Sequence, residues 1–251
     1  MINNSLSGHS NGKQVTISVI TTTYNAANHL PKLIESLRAQ TDKEFEWVVA
    51  DGGSTDGTVA LLESAADFNV VISSQPDFGI YDAMNRAIKM ATGEYYIVIG
   101  ADDYFFANAI ADYRMAVMES GADIITAGVL AQGKLIKIKG GMSWLYGAHA
   151  FVTSHSVGVL FQKKLHERFG YYSNKLTITA DSLFIKKVCQ GGATRLVASF
   201  TAGVFSVDGV SNRDISGTLL DGLRVQLLTE NNKFLQIIIF LLRLIKNYKK
   251  L

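Results

Sequence analysis

Apolar runs and segments of helical periodicity alternate along the first hundred residues, and this alternation limits the fold more than any other feature of the chain. Short apolar runs predict buried strands at residues 15–22, 45–50, 70–73 and 95–100. Apolar residues at helical spacing between these runs predict helices at residues 31–40, 58–67 and 80–91. Strand–helix–strand repetition requires right-handed crossovers, so we expect an α/β fold whose mostly parallel sheet is covered by helices on both faces.

The composition narrows the class of protein. Hydrophobic residues make up 48% and charged residues 18% of the 251 residues, which excludes an intrinsically disordered chain. The net charge is only +2, from 24 Lys and Arg against 22 Asp and Glu, whereas a nucleic-acid binder normally carries a strongly basic face. The single cysteine, Cys189, excludes an intramolecular disulfide and a cysteine zinc cluster, so we expect a reducing, cytoplasmic compartment and no nucleic-acid partner.

We expect one domain between a short leader and a tail. Residues 1–14 are polar and lack the apolar core of a signal peptide, so we predict a disordered leader. Residues 15–230 contain no linker and no internal repeat and are assigned to a single domain. Beyond Ala101 the pattern is less regular. It predicts helices at 107–119, 165–170 and 181–190, and strands at 123–130 and 195–207.

Polar clusters follow three of the predicted strands. These clusters are residues 21–25, 51–57 and 100–103. Ligands of parallel α/β sheets bind at the carboxyl ends of the strands, so these loops are the candidate site. Asp51 stands at the end of a strand, where its carboxylate can face a bound base or ribose. For Ser54 to Asp56, ordinary turn and capping chemistry is the favoured interpretation.

Asp102 and Asp103 are two adjacent carboxylates at the mouth of a buried strand. Like charges this close raise one another's pKa unless a cation neutralises them. Hard oxygen ligands suit Mg²⁺ or Mn²⁺, which typically take one or two carboxylates together with substrate phosphates. The alternative is a solvated turn that precedes a helix.

The predicted helix at 80–91 has one apolar face and one polar face. Asp82, Asn85, Arg86 and Lys89 share the polar face. A pocket lining and a merely solvated face give the same pattern, so periodicity alone leaves both interpretations open.

The chain resembles the inverting family-2 glycosyltransferases with the GT-A fold. The resemblance rests on ISVITTTYNAANHLPKLIESLRAQ, FEWVVADGGSTDGT and QPDFGIYDAMNRAIKMATGEYYIVIGADD, whose order and spacing match throughout residues 15–106. A weaker match, which includes ITADSLFIKKVCQGGA, covers residues 154–213. The resemblance implies a GT-A domain at 15–230 with a Rossmann-like sheet, and it is closest to the branch that assembles capsule, exopolysaccharide or O-antigen units.

Several donor-site roles follow from the resemblance. Thr22, Tyr24 and Asp51 would contact the base and ribose of a nucleotide sugar, with UDP as the expected nucleotide. Asp82 and Asn85 would line the donor pocket.

The resemblance also assigns the metal and the base. Asp102 and Asp103 would hold the donor diphosphate through Mn²⁺ or Mg²⁺, and Asp181 would be the catalytic base. His155 would contact the acceptor or the diphosphate, although a packing histidine gives the same signal. Asp181 also suits the N-cap of the following helix.

The implied reaction is sugar transfer by a hexosyltransferase to a glycan or a lipid-linked saccharide. In-line attack requires a carboxylate that takes the proton of the acceptor hydroxyl, and a cation that stabilises the leaving diphosphate. A nucleotidyltransferase is an alternative, but it would favour a Gly-rich loop with Arg or Lys at residues 21–25, which is absent. A non-catalytic binding subunit is the other alternative, and the joint presence of Asp51, Asp102, Asp103 and Asp181 argues against it.

Residues 231–251 predict a basic amphipathic helix. Five basic residues and no acidic one lie within 233–251. The apolar stretch 234–245 would be about 18 Å long as a helix, too short for a hydrocarbon core of roughly 30 Å. One interpretation is a helix that lies in a membrane interface and holds the enzyme peripherally at the inner face of the cell membrane. The other is a helix that docks on the domain or dimerises.

Overall fold

A computed structural model of the chain describes residues 15–65, 69–206 and 214–249. The predicted leader at 1–14 lies outside these residues, as do Arg213 and Lys250. The described part contains one sheet with strand order β3-β2-β1-β4-β8-β6-β9-β5, and β7 pairs with β6. The strands are β1 Ile17–Thr23, β2 Phe45–Asp51, β3 Val70–Ser74, β4 Tyr95–Val98, β5 Tyr104–Phe105, β6 Ile124–Ala131, β7 Lys134–Ile136, β8 Val159–Gln162 and β9 Arg195–Val204.

The first four strands form the parallel sheet that the sequence predicts. β1 pairs with β2 in a register that sets Thr23 opposite Asp51, and β3 and β4 extend the sheet on either side in the same direction. Parallel strands are buried on both faces, which explains why these segments are nearly continuous apolar runs.

The second half of the sheet differs from the expected parallel arrangement. β8 runs antiparallel to both β4 and β6, whereas β9 runs parallel to β6. β7 pairs antiparallel with β6, and β5 pairs antiparallel with β9. The sheet is therefore mixed, because the chain beyond β4 returns without regular helical crossovers.

Helices cover both faces of this mixed sheet. They are α1 Leu30–Arg38, α2 Thr58–Glu63, α3 Ile80–Met90, α4 Ala109–Ser120, α5 Ser143–Tyr146, α6 Leu165–Phe169, α7 Ala180–Gln190, α8 Ile215–Thr229 and α9 Lys233–Asn247, with a 3₁₀ turn at Gly147–Ala150. A hydrophobic core lies on each face of the sheet, and consecutive strand residues point into different cores. Val19 packs with α1 and α4, and Ile20 packs with α3 and α7. The predicted α/β layering is confirmed.

The C-terminal helix α9 turns its polar side towards the domain. Gln236 and Ile239 are buried, and the Arg243 guanidinium donates to the carbonyl of Leu145. Its outward face is apolar, with side chains between 39% and 74% exposed: Phe234, Ile237, Ile238, Leu241, Leu242 and Ile245. No helix within the described residues combines the length and the apolar character needed to cross a bilayer.

A buried carboxylate ties the loop before β4 to the amino end of the sheet. Glu46 Oε1 accepts from the Ser18 hydroxyl at 2.5 Å, from Thr92 N–H at 2.6 Å and from Gly93 N–H at 3.0 Å. A Cβ on Gly93 would lie 2.4 Å from Ser18 Oγ, so the close approach requires glycine. Burial raises the pKa of Glu46, but these hydrogen bonds outweigh it and hold the pKa below the usual range.

We expect Glu46→Gln to lower the free energy of unfolding by about 2 kcal/mol at pH 7, because the ionised carboxylate accepts three hydrogen bonds. A depressed folded-state pKa stabilises the fold above the ordinary glutamate pKa of 4.5, and this stability is lost as the pH falls. Urea unfolding at several pH values should therefore show the difference between wild type and variant shrinking below that pH. The exposed Glu63→Gln is the matched control, and a difference independent of pH would contradict the assignment.

Candidate functional site

The loops after β1, β2 and β4 meet at one edge of the sheet, because these three strands run parallel. Thr22 is half-buried, and Tyr24 is largely exposed beside Gly52. A Cβ on Gly52 would lie 2.7 Å from Asp77 Oδ2 and 3.3 Å from the Tyr24 ring, so the bare backbone here keeps the space between these two side chains. The predicted donor loops are thus brought together.

Asp51 is fully buried and organises the loop that follows β2. Its Oδ2 accepts from Gly53 N–H at 3.0 Å, Ser54 N–H at 2.9 Å and Ser74 Oγ at 2.7 Å. Its Oδ1 accepts from Thr23 Oγ1 at 2.8 Å and from Ser54 Oγ at 2.5 Å. Burial raises the pKa of Asp51, but these donors outweigh it and lower the pKa. Both oxygens are already bonded, by the loop itself and by the ends of β1 and β3, so the expected contact with a base or ribose would be additional to these bonds and stays a prediction.

Asp82 and Asn85 have different surroundings although both lie on α3. Asp82 is half-buried and accepts from the Phe78 N–H at 3.2 Å, at the start of the helix. Asn85 is buried, and its amide bonds both Tyr172 N–H at 3.0 Å and Tyr172 C=O at 2.8 Å. Asn85 therefore joins α3 to the loop before α7, and neither a solvated face nor a pocket lining describes it.

Arg86 lies beside the predicted donor loops, although the sequence did not indicate it as a candidate site residue. Its Nη2 donates to the Asp51 carbonyl at 2.7 Å, and its buried Nε has no hydrogen-bond partner within the described chain. The guanidinium thus lies beneath the strand-end loops. Its place on the polar face of the helix at 80–91 was the available signal, but that face gave no reason to separate Arg86 from Lys89.

The two adjacent carboxylates after β4 differ in what they can bind. Asp103 is buried: Oδ2 accepts from Gly100 N–H at 3.0 Å and from the Ser156 hydroxyl, and Oδ1 accepts from Ser206 N–H at 2.7 Å. Burial raises the pKa of Asp103 to about 6, and the Asp102 charge acts in the same direction. Asp102 is half-buried, and no group within the described residues bonds its side-chain oxygens, which makes it the more suitable of the two to bind a ligand.

These carboxylates fit a divalent cation that shares its other ligands with a diphosphate and water. Within the described ranges, no cluster of three or more His, Cys, Asp or Glu side chains could hold a metal by itself. A cation at Asp102 would therefore depend on ligands from the substrate.

Asp181 lies in the first turn of α7, one residue after its start, and Thr179 rather than Asp181 is the N-cap. The Tyr81 hydroxyl donates to Asp181 Oδ1 at 2.8 Å and lies 2.7 Å from the Ile178 carbonyl oxygen. His155 Nδ1 lies 3.8 Å from Asp181 Oδ2. One side chain from a distant segment, Tyr81, thus holds the carboxylate by a hydrogen bond, and a second, His155, lies close to its other oxygen.

A row of buried rings leads from His155 into the core. His155 Nε2 lies 2.8 Å from the Tyr172 hydroxyl, which lies 2.9 Å from the Tyr96 hydroxyl, and that hydroxyl lies 2.7 Å from His166 Nε2. His166 Nδ1 faces the carbonyl of Gly170 at 3.0 Å, so it carries the ring proton. Burial lowers the pKa of His166 to about 4, which keeps this imidazole neutral.

The direction of donation along the row fixes the tautomer of His155. A neutral His166 accepts from Tyr96, Tyr96 then accepts from Tyr172, and Tyr172 accepts from His155 Nε2–H. The Nδ1 lone pair of a neutral His155 therefore faces Asp181. When Asp181 holds a proton, His155 Nδ1 is therefore a neighbouring acceptor for it.

Residues 153–158 connect the loop after β4, which carries Asp102 and Asp103, to Asp181. The Ser156 hydroxyl bonds Asp103, and the next side chain, His155, reaches Asp181. Val157 holds this turn with φ of 65°, and its N–H bonds the Val98 carbonyl at 2.8 Å. The carboxylates predicted from distant parts of the chain therefore lie on the two sides of one short segment.

Comparison with known families gives one match that covers most of the chain. The sequence model described as glycosyl transferase family 2 matches residues 18–185. A PGL/p-HBAD biosynthesis glycosyltransferase of Mycobacterium bovis is 40% identical over 92 residues. That segment is 36% of this chain and 36% of the relative, so the likeness spans about a third of the relative's length.

Solved structures share the fold. TarS 1–349 of S. aureus in complex with UDP superposes with a TM-score of 0.67 at 22% identity, covering 94% of this chain and 72% of that one. The mannosyltransferase PcManGT of Pyrobaculum calidifontis, in complex with GDP-Man and Mn²⁺, gives a TM-score of 0.65 at 18% identity, covering 83% and 62%. These likenesses confirm the expected GT-A fold.

Proposed function

The chain belongs to glycosyl transferase family 2 and is a glycosyltransferase, and from this premise we propose that it moves a sugar with inversion from a nucleoside diphosphate sugar to an acceptor hydroxyl. The observation that carries the proposal is that two adjacent residues link the carboxylates: Ser156 bonds Asp103, and His155 lies 3.8 Å from Asp181. A donor diphosphate beside Asp102 and an acceptor beside Asp181 would then share one site.

The donor nucleotide in this proposal is UDP, bound at the loops after β1 and β2. Tyr24 offers an exposed aromatic ring beside the backbone of Gly52, and Thr22 lies one residue before the end of β1. Asp51 would hold the loop in shape through its five hydrogen bonds, in addition to the predicted contact with the base or ribose. The UDP complex of TarS and the GDP-Man complex of PcManGT show that proteins of this fold bind nucleoside diphosphates, and UDP is the nucleotide proposed for this chain.

Asp181 is proposed as the base. Its carboxylate takes the proton of the acceptor hydroxyl while the hydroxyl oxygen forms the new bond to the anomeric carbon. The bond from that carbon to the diphosphate oxygen breaks, and the nucleoside diphosphate leaves with the bonding electrons. Tyr81 orients Asp181 through its hydrogen bond, and the His155 Nδ1 lone pair can share the proton that Asp181 receives.

We propose Asp102 as the direct ligand of Mn²⁺ or Mg²⁺, and Asp103 as the residue that holds its loop. When bound, the cation stabilises the negative charge that develops on the leaving diphosphate. Two observations support this division: the free oxygens of Asp102 and the bonded oxygens of Asp103. The Mn²⁺ complex of PcManGT is consistent with a divalent cation in a protein of this fold.

The acceptor in this proposal is a glycan or lipid-linked saccharide of a cell-surface polysaccharide. We assign residues 15–230 to the catalytic domain and 231–251 to a tail that binds the membrane surface peripherally. The outward apolar face of α9 supports this, together with the basic side chains Lys233, Lys246 and Lys249 on or beside the same helix. Anionic headgroups would neutralise these lysines while the apolar side chains enter the interface.

For the reaction, we expect Asp181→Asn to lower kcat by about 10²–10⁴-fold, because an amide cannot take the hydroxyl proton. Binding of the nucleotide sugar should change less than threefold. Release of nucleoside diphosphate in the presence of Mn²⁺ measures turnover, and a panel of nucleotide sugars in thermal unfolding identifies the donor. The exposed Glu167→Gln is the matched control, and full turnover by Asp181→Asn would overturn the assignment.

For the metal, we expect Asp102→Asn to raise the Mn²⁺ concentration needed for half-maximal activity at least tenfold. We expect Asp103→Asn instead to lower the free energy of unfolding by about 1–3 kcal/mol. The carboxylate accepts three hydrogen bonds, and the NH₂ group of the amide that replaces it cannot accept any. Metal titrations of activity and urea unfolding measure the two effects. An unchanged metal requirement in Asp102→Asn would contradict the proposed ligand.

For the tail, we expect the wild-type protein to sediment with vesicles that contain phosphatidylglycerol, and to do so less at high salt. The double substitution Leu242→Glu and Ile245→Glu should weaken this binding at least tenfold, since each buried apolar side chain contributes about 1.5–3 kcal/mol. Leu228→Glu, at an exposed position of α8, is the matched control. Equal binding of the variant and the wild type would contradict the proposal.

A further inference from the structure

A cavity lies at the start of α7, the helix that carries Asp181, and none of the strand-end loops lines it. Its volume is about 330 Å³, and it lies between the 3₁₀ turn at Gly147–Ala150, the start of α7, α8 and α9. Thr179 and Ser182, the close neighbours of Asp181 in the chain, line it. A group bound in this cavity would therefore lie next to the proposed base rather than next to the donor loops.

The charged side chains that line this cavity are both positive. Lys139 and Arg243 come from separate segments, and among the described residues no Asp or Glu lines the cavity. His149 also lines it, and burial lowers the pKa of its imidazole, which adds a neutral polar group. Lys139 N–H bonds the His149 carbonyl at 2.9 Å, which holds two of these segments together. The cavity is thus built as a basic site.

Arg243 is the most informative of these residues. It is half-buried, its guanidinium donates to the carbonyl of Leu145, and no carboxylate among the described residues forms a salt bridge with it. Burial lowers the pKa of Arg243. A charge that is withdrawn from water without a counter-ion is costly, so an anion at this position would be stabilised.

Thr179 gives an independent sign of a missing partner. Its hydroxyl is buried and makes no hydrogen bond within the described part of the chain, although Thr179 lines the cavity. Buried hydroxyl groups are normally paired. A ligand oxygen that enters the cavity is a suitable partner.

We propose that this cavity binds a phosphate group of the acceptor and so places the neighbouring hydroxyl at Asp181. The inference rests on the proposed transfer reaction and deepens it by naming the acceptor class. Phosphate fits because guanidinium and ammonium groups form charge-assisted hydrogen bonds with its oxygens. The phosphate can belong to a diphosphate that links a saccharide to a lipid, or to a phosphodiester chain.

The first test measures binding of phenyl phosphate to the full chain by calorimetry, with UDP and Mn²⁺ present to fill the donor site. We expect binding by the wild type and at least a tenfold loss of affinity in Arg243→Gln and in Lys139→Gln. Lys187→Gln, which removes an exposed lysine of α7, is the matched control and should bind as the wild type does. Phenyl β-glucoside, the neutral probe, should not distinguish the variants.

The second test separates this inference from the proposed function. Hydrolysis of the nucleotide sugar by water needs no acceptor, so it should be unchanged in Arg243→Gln if the donor site is intact. With acceptors, KM should rise at least tenfold in Arg243→Gln for phosphorylated substrates only. A saccharide on an isoprenyl diphosphate and a polyol phosphate oligomer distinguish the two sources of phosphate.

The outcomes are distinct. Absence of nucleotide-sugar turnover in the wild type would overturn the proposed function. Normal turnover with equal phenyl phosphate binding in all variants, or an equal rise in KM for neutral and phosphorylated acceptors, would overturn the phosphate site alone. If Arg243→Gln does not fold, Lys139→Gln decides the matter, because Lys139 is exposed on an irregular segment.

Discussion

The candidate site depends on one constrained turn, residues 153–158. Val157 is a fully buried, β-branched residue at positive φ, a conformation that costs free energy and persists only where the surroundings enforce it. The bond from its N–H to Val98 anchors the turn to β4. This anchoring directs Ser156 to one carboxylate and His155 to another, so the spacing of the proposed chemical groups is set by packing in the core.

The carboxylates of the site form two classes. Asp51 and Asp103 are buried, and hydrogen bonds from their own loops and from neighbouring segments occupy both oxygens of each. Asp102 and Asp181 keep oxygens that a ligand can reach, and of these two only Asp181 is oriented by a described side chain, Tyr81. The first class shapes the loops in advance, which reduces the ordering required when a ligand binds, and the second class remains for chemistry.

The sequence predicted what local periodicity determines. β1 to β4, α1 to α3 and the loops between them follow from apolar runs and helical spacing. The antiparallel half did not follow, because local periodicity does not say which strands pair or in which direction once helices no longer alternate regularly with strands. For the same reason the partners of Asn85 and Asp51 could not be predicted: an amide that bonds Tyr172 and a carboxylate that bonds Ser74 have the same local pattern as solvated or ligand-facing residues. The GT-A fold came from the motifs and is confirmed, whereas the site roles remain predictions.

Helix α9 has a basic side chain on its inner side and apolar side chains on its outer side. Arg243 faces the basic cavity, while Leu242 next to it faces outwards. Any displacement or rotation of this helix would alter the cavity and the outer surface together. If the outer face binds lipid and the cavity binds substrate as proposed, the two binding events would be coupled through the position of this one helix.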